Sequence, residues 1–339
     1  MAEVSVLMAA YNSANFIGEA IESILKQSYS SFELVIVNDG STDHTDNIIQ
    51  RYLHDKRIRY YKNNSNMGLV YTRNKLLGLA SAEYIAIMDS DDIAHHDRLL
   101  KQYNYLLKNP SVGLVGSWVQ PIDQKGQLTG MPWCSYDSPD RVSCSLLFQN
   151  FFANSSVLMR KAFIPKGGYR EGYPPAEDYD LWSRMLTKTQ GYNLPEVLVY
   201  YRIHNENTSI VNGDLTRFNA RRVIENQLAE LGISPSQSSI DLHMVISSFE
   251  PNEIKENRLS DIKLWLEHLY QTNKLVAKYD DRAFLYILGK YWFRVCETRK
   301  GSSLAAYYNA KKLRASYNPG FKNYLKFLVK ELKKLLVNE

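Results

Sequence analysis

Residues 84–92 read YIAIMDSDD: an apolar run followed by three carboxylates, Asp89, Asp91 and Asp92, within four positions. A short apolar run bounded by polar residues is the signature of a strand buried in a sheet. Its carboxyl end therefore carries more negative charge than a structural turn requires.

The neighbouring sequence repeats the pattern. VSVLMAA (4–10) is a second apolar run, and ANFIGEAIESILKQ (14–27) has helical spacing at Phe16, Ala20, Ile24 and Leu25. ELVIVND (33–39) follows, then a GSTD turn into a helix from about 43, the run RIRYYK (57–62) and a helix over 69–80. This β-α-β-α order predicts an α/β fold with a mostly parallel sheet and helices on its faces. Ligands of such sheets bind beyond the carboxyl ends of the strands. Asp39 and the 89–92 cluster both fall there and can converge on one crevice.

From 111 onward the expected elements are a strand at VGLVGSWV, a Gly- and Pro-containing loop over 121–140 and a helix near 139–148. A strand at SSVLMR, a helix from Glu177 and a strand over 197–204 complete this part. Beyond 210 the pattern turns to long helical stretches, among them LTRFNARRVIENQLAELG and LSDIKLWLEHLYQTNKLV. The reading is a first domain over 1–210 and a helical region over 211–339.

Composition narrows the function. With 45% apolar and 23% charged residues, 339 residues bury a proper core in at most two domains. Three cysteines without CxxC spacing argue against a disulfide framework and a zinc cluster, and suit a reducing, cytoplasmic setting. The amino terminus reads as a first strand rather than a basic leader. Eight of the Lys/Arg residues and two acids lie in 311–339, so a total charge of +5 leaves the first 310 residues at −1. A nucleic-acid binder spreads its basic residues over the folded face; this chain does not.

Each candidate site residue admits two readings. Asp89 and Asp91, on alternate positions, can face one cation while Asp92 caps a helix over 95–108, or all three belong to an ordinary strand-to-helix turn. Hard oxygen donors suit Mn²⁺ or Mg²⁺. Asp39 is either an Asx-turn residue or an acceptor-only contact for a ligand N–H. Arg73 either reaches phosphates or pairs with a loop acid. Glu177 and Asp178 open a helix whose dipole favours ionised carboxylates, which serves both capping and proton abstraction. Trp182 and Arg184, one turn on, line an acceptor pocket or, for Trp182, pack in the core. Strand alternation puts Tyr200, Arg202 and His204 on one face. If that face looks into the crevice, His204 is a metal ligand and Arg202 a phosphate contact; otherwise His204 is structural.

SVLMAAYN, LVIVNDGSTDHT, NMGLVYTRN and IAIMDSDD, in that order and spacing, resemble the family-2 glycosyltransferases with the GT-A fold. EGYPPAEDYDLWSRM (171–185) and YRIHNENTS (201–209) extend the resemblance over roughly 3–210. It implies a nucleotide-sugar donor, a divalent metal, inversion at the anomeric carbon and one catalytic carboxylate. Carried over by position, Ala9 and Tyr11 flank the nucleobase, Asp39 accepts from its imide N–H, Arg73 contacts the nucleotide and Asp89 the ribose. Asp91 and His204 hold the metal, Asp178 is the base, and Glu177, Trp182 and Arg184 lie near the acceptor. Ala9 stands where a proline is common, and Asn38 where a second acid is common. The resemblance leans toward UDP and toward a saccharide or lipid-linked saccharide acceptor of bacterial surface polysaccharide.

Two other functions compete: a metal-dependent nucleotidyltransferase, disfavoured by the lack of a Gly-rich phosphate loop after the first strand, and an inactive binding module, disfavoured by intact DSDD and AED. Finally, Phe321, Tyr324, Leu325, Leu328, Leu332, Leu335 and Leu336 recur at three- and four-residue intervals among lysines. Such a helix over 319–339 fits the inner face of an anionic membrane, or packing against the helical region or a second subunit.

Overall fold

The computed structural model describes residues 2–135, 137–205, 207, 211–248, 258–298 and 303–337. It contains two compact units, residues 1–142 with 150–220 and residues 143–149 with 221–339. The boundary expected near 210 falls beside residues 208–210, which lie outside the described set, as does part of the 201–209 motif.

The first unit is built on an eight-stranded mixed sheet. Its strands are β1 (Val4–Ala10), β2 (Phe32–Asn38), β3 (Ile58–Lys62), β4 (Tyr84–Ile87), β5 (Ile93–Ala94), β6 (Val112–Ile122), β7 (Leu158–Arg160) and β8 (Gln190–Arg202). Their order is β3-β2-β1-β4-β7-β6-β8-β5. The β1–β2, β1–β4, β2–β3 and β6–β8 pairs are parallel, and those of β7 and β5 are antiparallel. The crossover helices are α1 (Ile17–Leu25), α2 (Thr45–Gln50), α3 (Leu69–Leu79) and α4 (Arg98–Lys108). β1, β2 and β4 are near-continuous apolar runs because helices cover both faces. Val4, Val6 and Met8 pack with Ile17, Ile21 and Ile24 of α1 and Leu99 and Leu106 of α4. Two further helices follow, α5 (Pro139–Leu146), which runs into the 143–149 segment, and α6 (Glu177–Met185).

The second unit is helical: α7 (Gly213–Glu230), which it shares with the first from Arg221 on, α8 (Gln237–Ser248), α9 (Leu259–Val276), α10 (Asp281–Thr298), α11 (Leu304–Asn309), α12 (Lys311–Ser316) and α13 (Phe321–Val337). His243 is buried in it, stacked on Phe148 at 4.7 Å and pushed down to about 4 by burial. Its Nδ1 accepts from Trp265 Nε1 at 3.1 Å, so Nε2–H donates to the Leu147 carbonyl at 2.9 Å.

α13 differs from the stripe read in the sequence. Its buried centre is Phe327, 0% exposed, edge-on to Phe293 and Tyr307. Phe321 (82%), Leu325 (46%), Val329 (43%) and Leu332 (59%) face solvent on the other side. The side chains of Leu335 and Leu336 lie outside the described set. Helical spacing shows that two faces are apolar, not which one finds a partner.

Candidate active site

The carboxyl ends of β1, β2, β4 and β8 bring the candidate residues together. At the end of β2, Asp39 is 4% exposed. Its carboxylate accepts from Asn63 Nδ2 (2.6 Å), Met67 N (2.9 Å) and Gly68 N (3.0 Å), pinning the loop before α3. Gly40 lets that loop approach: with φ at 70°, a Cβ there would stand 2.4 Å from the Ser65 carbonyl carbon. The local turn belongs instead to Asn38, whose Oδ1 accepts from Ser41 N at 2.9 Å. A carboxylate offers about four acceptor positions, and the described residues fill three of them at Asp39. Tyr11 is 46% exposed beside it. Ala9 lines a narrow pocket with Arg73, Asp89 and Tyr169.

The three carboxylates after β4 are handled differently. Asp89 accepts from Asn154 Nδ2 (2.8 Å) and Ser155 Oγ (2.9 Å), residues of a single turn before β7, and from Arg73 Nη2 at 3.2 Å. Asp92 does not cap α4, which begins at Arg98, beyond the short β5. Because β5 pairs with β8 through Ile93 and Tyr200, the Asp92 carboxylate meets the next turn of β8 and accepts from Arg202 N at 2.8 Å. Burial, then the neighbouring Asp91 and Asp89, push Asp92 well above the usual carboxylate range. Asp91 is left at the rim, its Oδ2 2.9 Å from His204 Nε2. His204 is backed by the Phe16 ring at 4.9 Å.

Two buried arginines lie near this strand end. Arg98, fully buried, donates to the carbonyls of Ile87 (2.8 Å) and Val157 (3.1 Å). Burial lowers its guanidinium to about 10, while Asp92 and Asp89 pull the other way. Arg202 is also fully buried: it donates to Asp91 O (2.8 Å), Gln124 O (3.0 Å) and Glu19 Oε2 (2.7 Å), and lies over Phe16. Its fork is thus committed to the protein, which corrects the phosphate contact expected from alternation alone.

The amino end of α6 carries the second acidic cluster. Glu177, 3% exposed, pairs with Arg73 Nη1, so one guanidinium bridges Glu177 and Asp89. Burial opposes the charge of Arg73, but Glu177 and then Asp89 outweigh it and hold the group above its ordinary value. Asp180, 1% exposed, is clamped by Arg170 and Arg184. Arg184 also donates to Gly168 O at 2.7 Å, and Trp182 is 0% exposed, edge-on to Tyr169. Both are therefore structural rather than acceptor contacts: the helix turns Trp182 into the core and Arg184 onto Asp180. Asp178 is half-buried and pairs with no cation among the described residues; it accepts from Tyr179 N (2.6 Å) and Asn150 Nδ2 (3.2 Å). Burial, then Glu177, raise it to about 7. The helix dipole expected to keep it ionised is outweighed.

Sequence reasoning missed Asn154, Ser155, Asn150, Arg98 and Tyr169. Tyr169 is 2% exposed, its ring under Arg73 at 5.5 Å and its backbone bonded through both N and O to Asn74. The Asn74 of the TRN motif is the one signal that marks this loop.

For a divalent cation, Asp91 and His204 would be the donors, and among the described residues no group of three or more His, Cys, Asp or Glu side chains gathers. Two protein donors at an open rim fit a cation that keeps waters and completes its shell with phosphate oxygens.

A mixed sheet with a rim carboxylate beside a histidine at its strand ends, and a second acidic cluster at the start of α6, has the architecture of a GT-A glycosyltransferase. The chain belongs to the glycosyl transferase family 2, whose model matches residues 5–163. An uncharacterized glycosyltransferase of Haemophilus influenzae is 31% identical over 287 residues, 80% of this chain and 89% of that one. The O-antigen biosynthesis glycosyltransferase WbnJ of Escherichia coli is 34% identical over 60% of this chain and 81% of its own. The crystal structure of Staphylococcus aureus TarS 1–349 in complex with UDP-GlcNAc has the same fold, with a TM-score of 0.55 at 16% identity, covering 89% of this chain and 93% of that one. Among the described residues no helix is long and apolar enough to cross a membrane.

Proposed function

We propose that this chain transfers a sugar, with inversion, from a UDP-sugar to a hydroxyl of a saccharide or lipid-linked saccharide acceptor in polysaccharide assembly. The observation that carries the reading is Asp178 at about 7, one residue from the Arg73 bridge that reaches Asp89. A general base works best with a pKa near the operating pH. Asp178 takes the proton of the acceptor hydroxyl as its oxygen bonds to the anomeric carbon. The bond from that carbon to the donor's phosphate oxygen breaks, and the nucleoside diphosphate leaves with the electron pair on the opposite face. Tyr11 and the open position of Asp39 meet the base, Asp89 the ribose, and Arg73 holds Asp89 and Glu177 in place for it. Asp91 and His204 would hold Mn²⁺ or Mg²⁺, which when bound supplies positive charge to the leaving diphosphate. UDP is supported by the TarS complex, and a saccharide acceptor by the name of WbnJ.

The test is a donor panel with Mn²⁺, following products. Nucleoside diphosphate release that disappears in Asp178→Asn supports the reading; pyrophosphate release assigns a nucleotidyltransferase, and no turnover assigns a binding module. The anomeric configuration of the product, by NMR, tests inversion.

The solvent-facing Phe321, Leu325, Val329 and Leu332 of α13, with Lys322, Lys326 and Lys333 around them, support peripheral association with an anionic bilayer on the cytoplasmic side. Each basic residue adds about 1 kcal/mol near such a surface. Flotation with phosphatidylglycerol vesicles that is unchanged on deleting 319–339 removes this part.

A further inference from the structure

The helical unit carries a wide-mouthed surface cavity of about 380 Å³ whose lining includes Tyr307, Tyr308, Tyr317, Tyr324, Phe321 and Arg314. All of these residues belong to that unit, whereas Asp178 belongs to the first. Its volume lies within the range of small-molecule sites, roughly 300–1,000 Å³. The hydroxyls of Tyr308 and Tyr324 are bonded to each other, which fixes two rings before any ligand arrives. Arg314 lies over the Tyr308 ring at 4.6 Å. It is half-buried and meets no carboxylate among the described residues, unlike Arg73, Arg170, Arg184 and Arg202, each of which does.

From this geometry we infer that the helical unit binds saccharide bearing an anionic group. A half-buried guanidinium without an acid is a fork of donors waiting for one, and its planar shape matches a carboxylate or phosphate. The surrounding rings supply flat apolar faces of the kind that pack against the C–H faces of a pyranose, and tyrosine hydroxyls at their edges bond to sugar hydroxyls. A fatty chain would use the rings but leave the guanidinium without an anion. The inference rests on the proposed saccharide acceptor and deepens it: the growing polymer is acidic, and the helical unit holds it at a second point, raising its effective concentration.

The shared chemistry, a pyranose with an anionic substituent, has two sources, a uronate and a sugar phosphate. Isothermal titration of the full chain with a hyaluronan tetrasaccharide, N-acetylglucosamine 6-phosphate and neutral cellotetraose separates them. At least one acidic probe is expected to bind about tenfold more tightly than cellotetraose, the size of one charge-assisted hydrogen bond. Arg314→Gln removes that preference and Tyr308→Ala, at a ring 43% exposed, weakens whatever binds. Equal affinity for the neutral probe, binding unchanged in Arg314→Gln, or no binding of either acidic probe at millimolar concentration overturns the inference. Arg314-dependent binding of phosphatidylglycerol vesicles without saccharide binding overturns it too and assigns the cavity to a lipid headgroup. Binding that persists in Asp178→Asn separates this site from the transfer reaction. Failure of nucleotide release in the wild type would remove the acceptor role and leave the binding result standing.

Discussion

The two acidic clusters of the first unit, Asp89–Asp92 after β4 and Glu177–Asp180 at the start of α6, look alike in sequence and are treated alike by the fold. Each holds three carboxylates, and in each two are neutralised or pinned. Asp89 is held by Arg73, Asn154 and Ser155, and Asp92 by Arg202 N with Arg98 nearby. Glu177 is held by Arg73, and Asp180 by Arg170 and Arg184. The third member differs: among the described residues, Asp91 meets a histidine at the rim and Asp178 meets neutral donors. Among the described residues neither Asp91 nor Asp178 pairs with an arginine or lysine, and the proposed function assigns the metal-holding and base roles to these two. On that reading, position within the cluster, not acidity, distinguishes the working residue.

The largest effect should come from erasing the difference at α6. Asp178→Asn is expected to lower kcat by about 10²–10⁴ while the Kd for UDP, measured by calorimetry, stays within a factor of a few. Because burial raises the folded-state value of Asp178, its ionised form destabilises the fold above pH 7 and its protonated form does not below about pH 4. The same variant should therefore melt about 2–4 °C higher at pH 8, a gain that vanishes toward pH 4.

Arg73 is where the clusters are tied together. Arg73→Gln leaves the buried Glu177 and the half-buried Asp89 without their cation, and breaking a buried pair from one side costs about 3–5 kcal/mol. Chemical denaturation should show that loss, whereas an exposed pair such as Lys26–Glu22, cut by Lys26→Gln, should cost within about 1 kcal/mol.

The rim carboxylate gives the next effect in size. Asp91→Asn should weaken Mn²⁺ binding about 10–100-fold by electron paramagnetic resonance titration with UDP present, and His204→Gln by less. Equal affinity in both variants and the wild type would place the cation elsewhere. The smallest effect is expected at Trp182, where Trp182→Phe should lower stability by about 1–2 kcal/mol and leave the acceptor KM unchanged.

Much of this was legible in the chain. Apolar runs punctuated by Asp39 and Asp89 predict strands and place the acids at their carboxyl ends, because alternation and turn residues are local signals. The partners are not local. Asp92 has the look of a helix cap, yet the pairing of Ile93 with Tyr200 sends it to Arg202 N. Arg202 shares a strand face with His204, but its guanidinium turns inward to carbonyls and Glu19. Arg98 lies in plain view in HHDRLL, and only tertiary packing shows that it is buried under the acids. The membership of 143–149 in the helical unit, and the choice of Phe327 over Phe321 as the buried residue of α13, likewise depend on contacts far away in sequence.

The account rests on one carboxylate being poised near neutrality by its surroundings. The pH dependence of kcat/KM tests that directly, in the wild type and in Glu177→Gln, which removes the neighbouring charge and leaves the attraction of Arg73. The prediction is an acidic limb near pH 7 that moves to lower pH in Glu177→Gln, since the second cause of the shift is gone. A limb near pH 4, or one that stays in place in the variant, would contradict the assignment of Asp178 as the base.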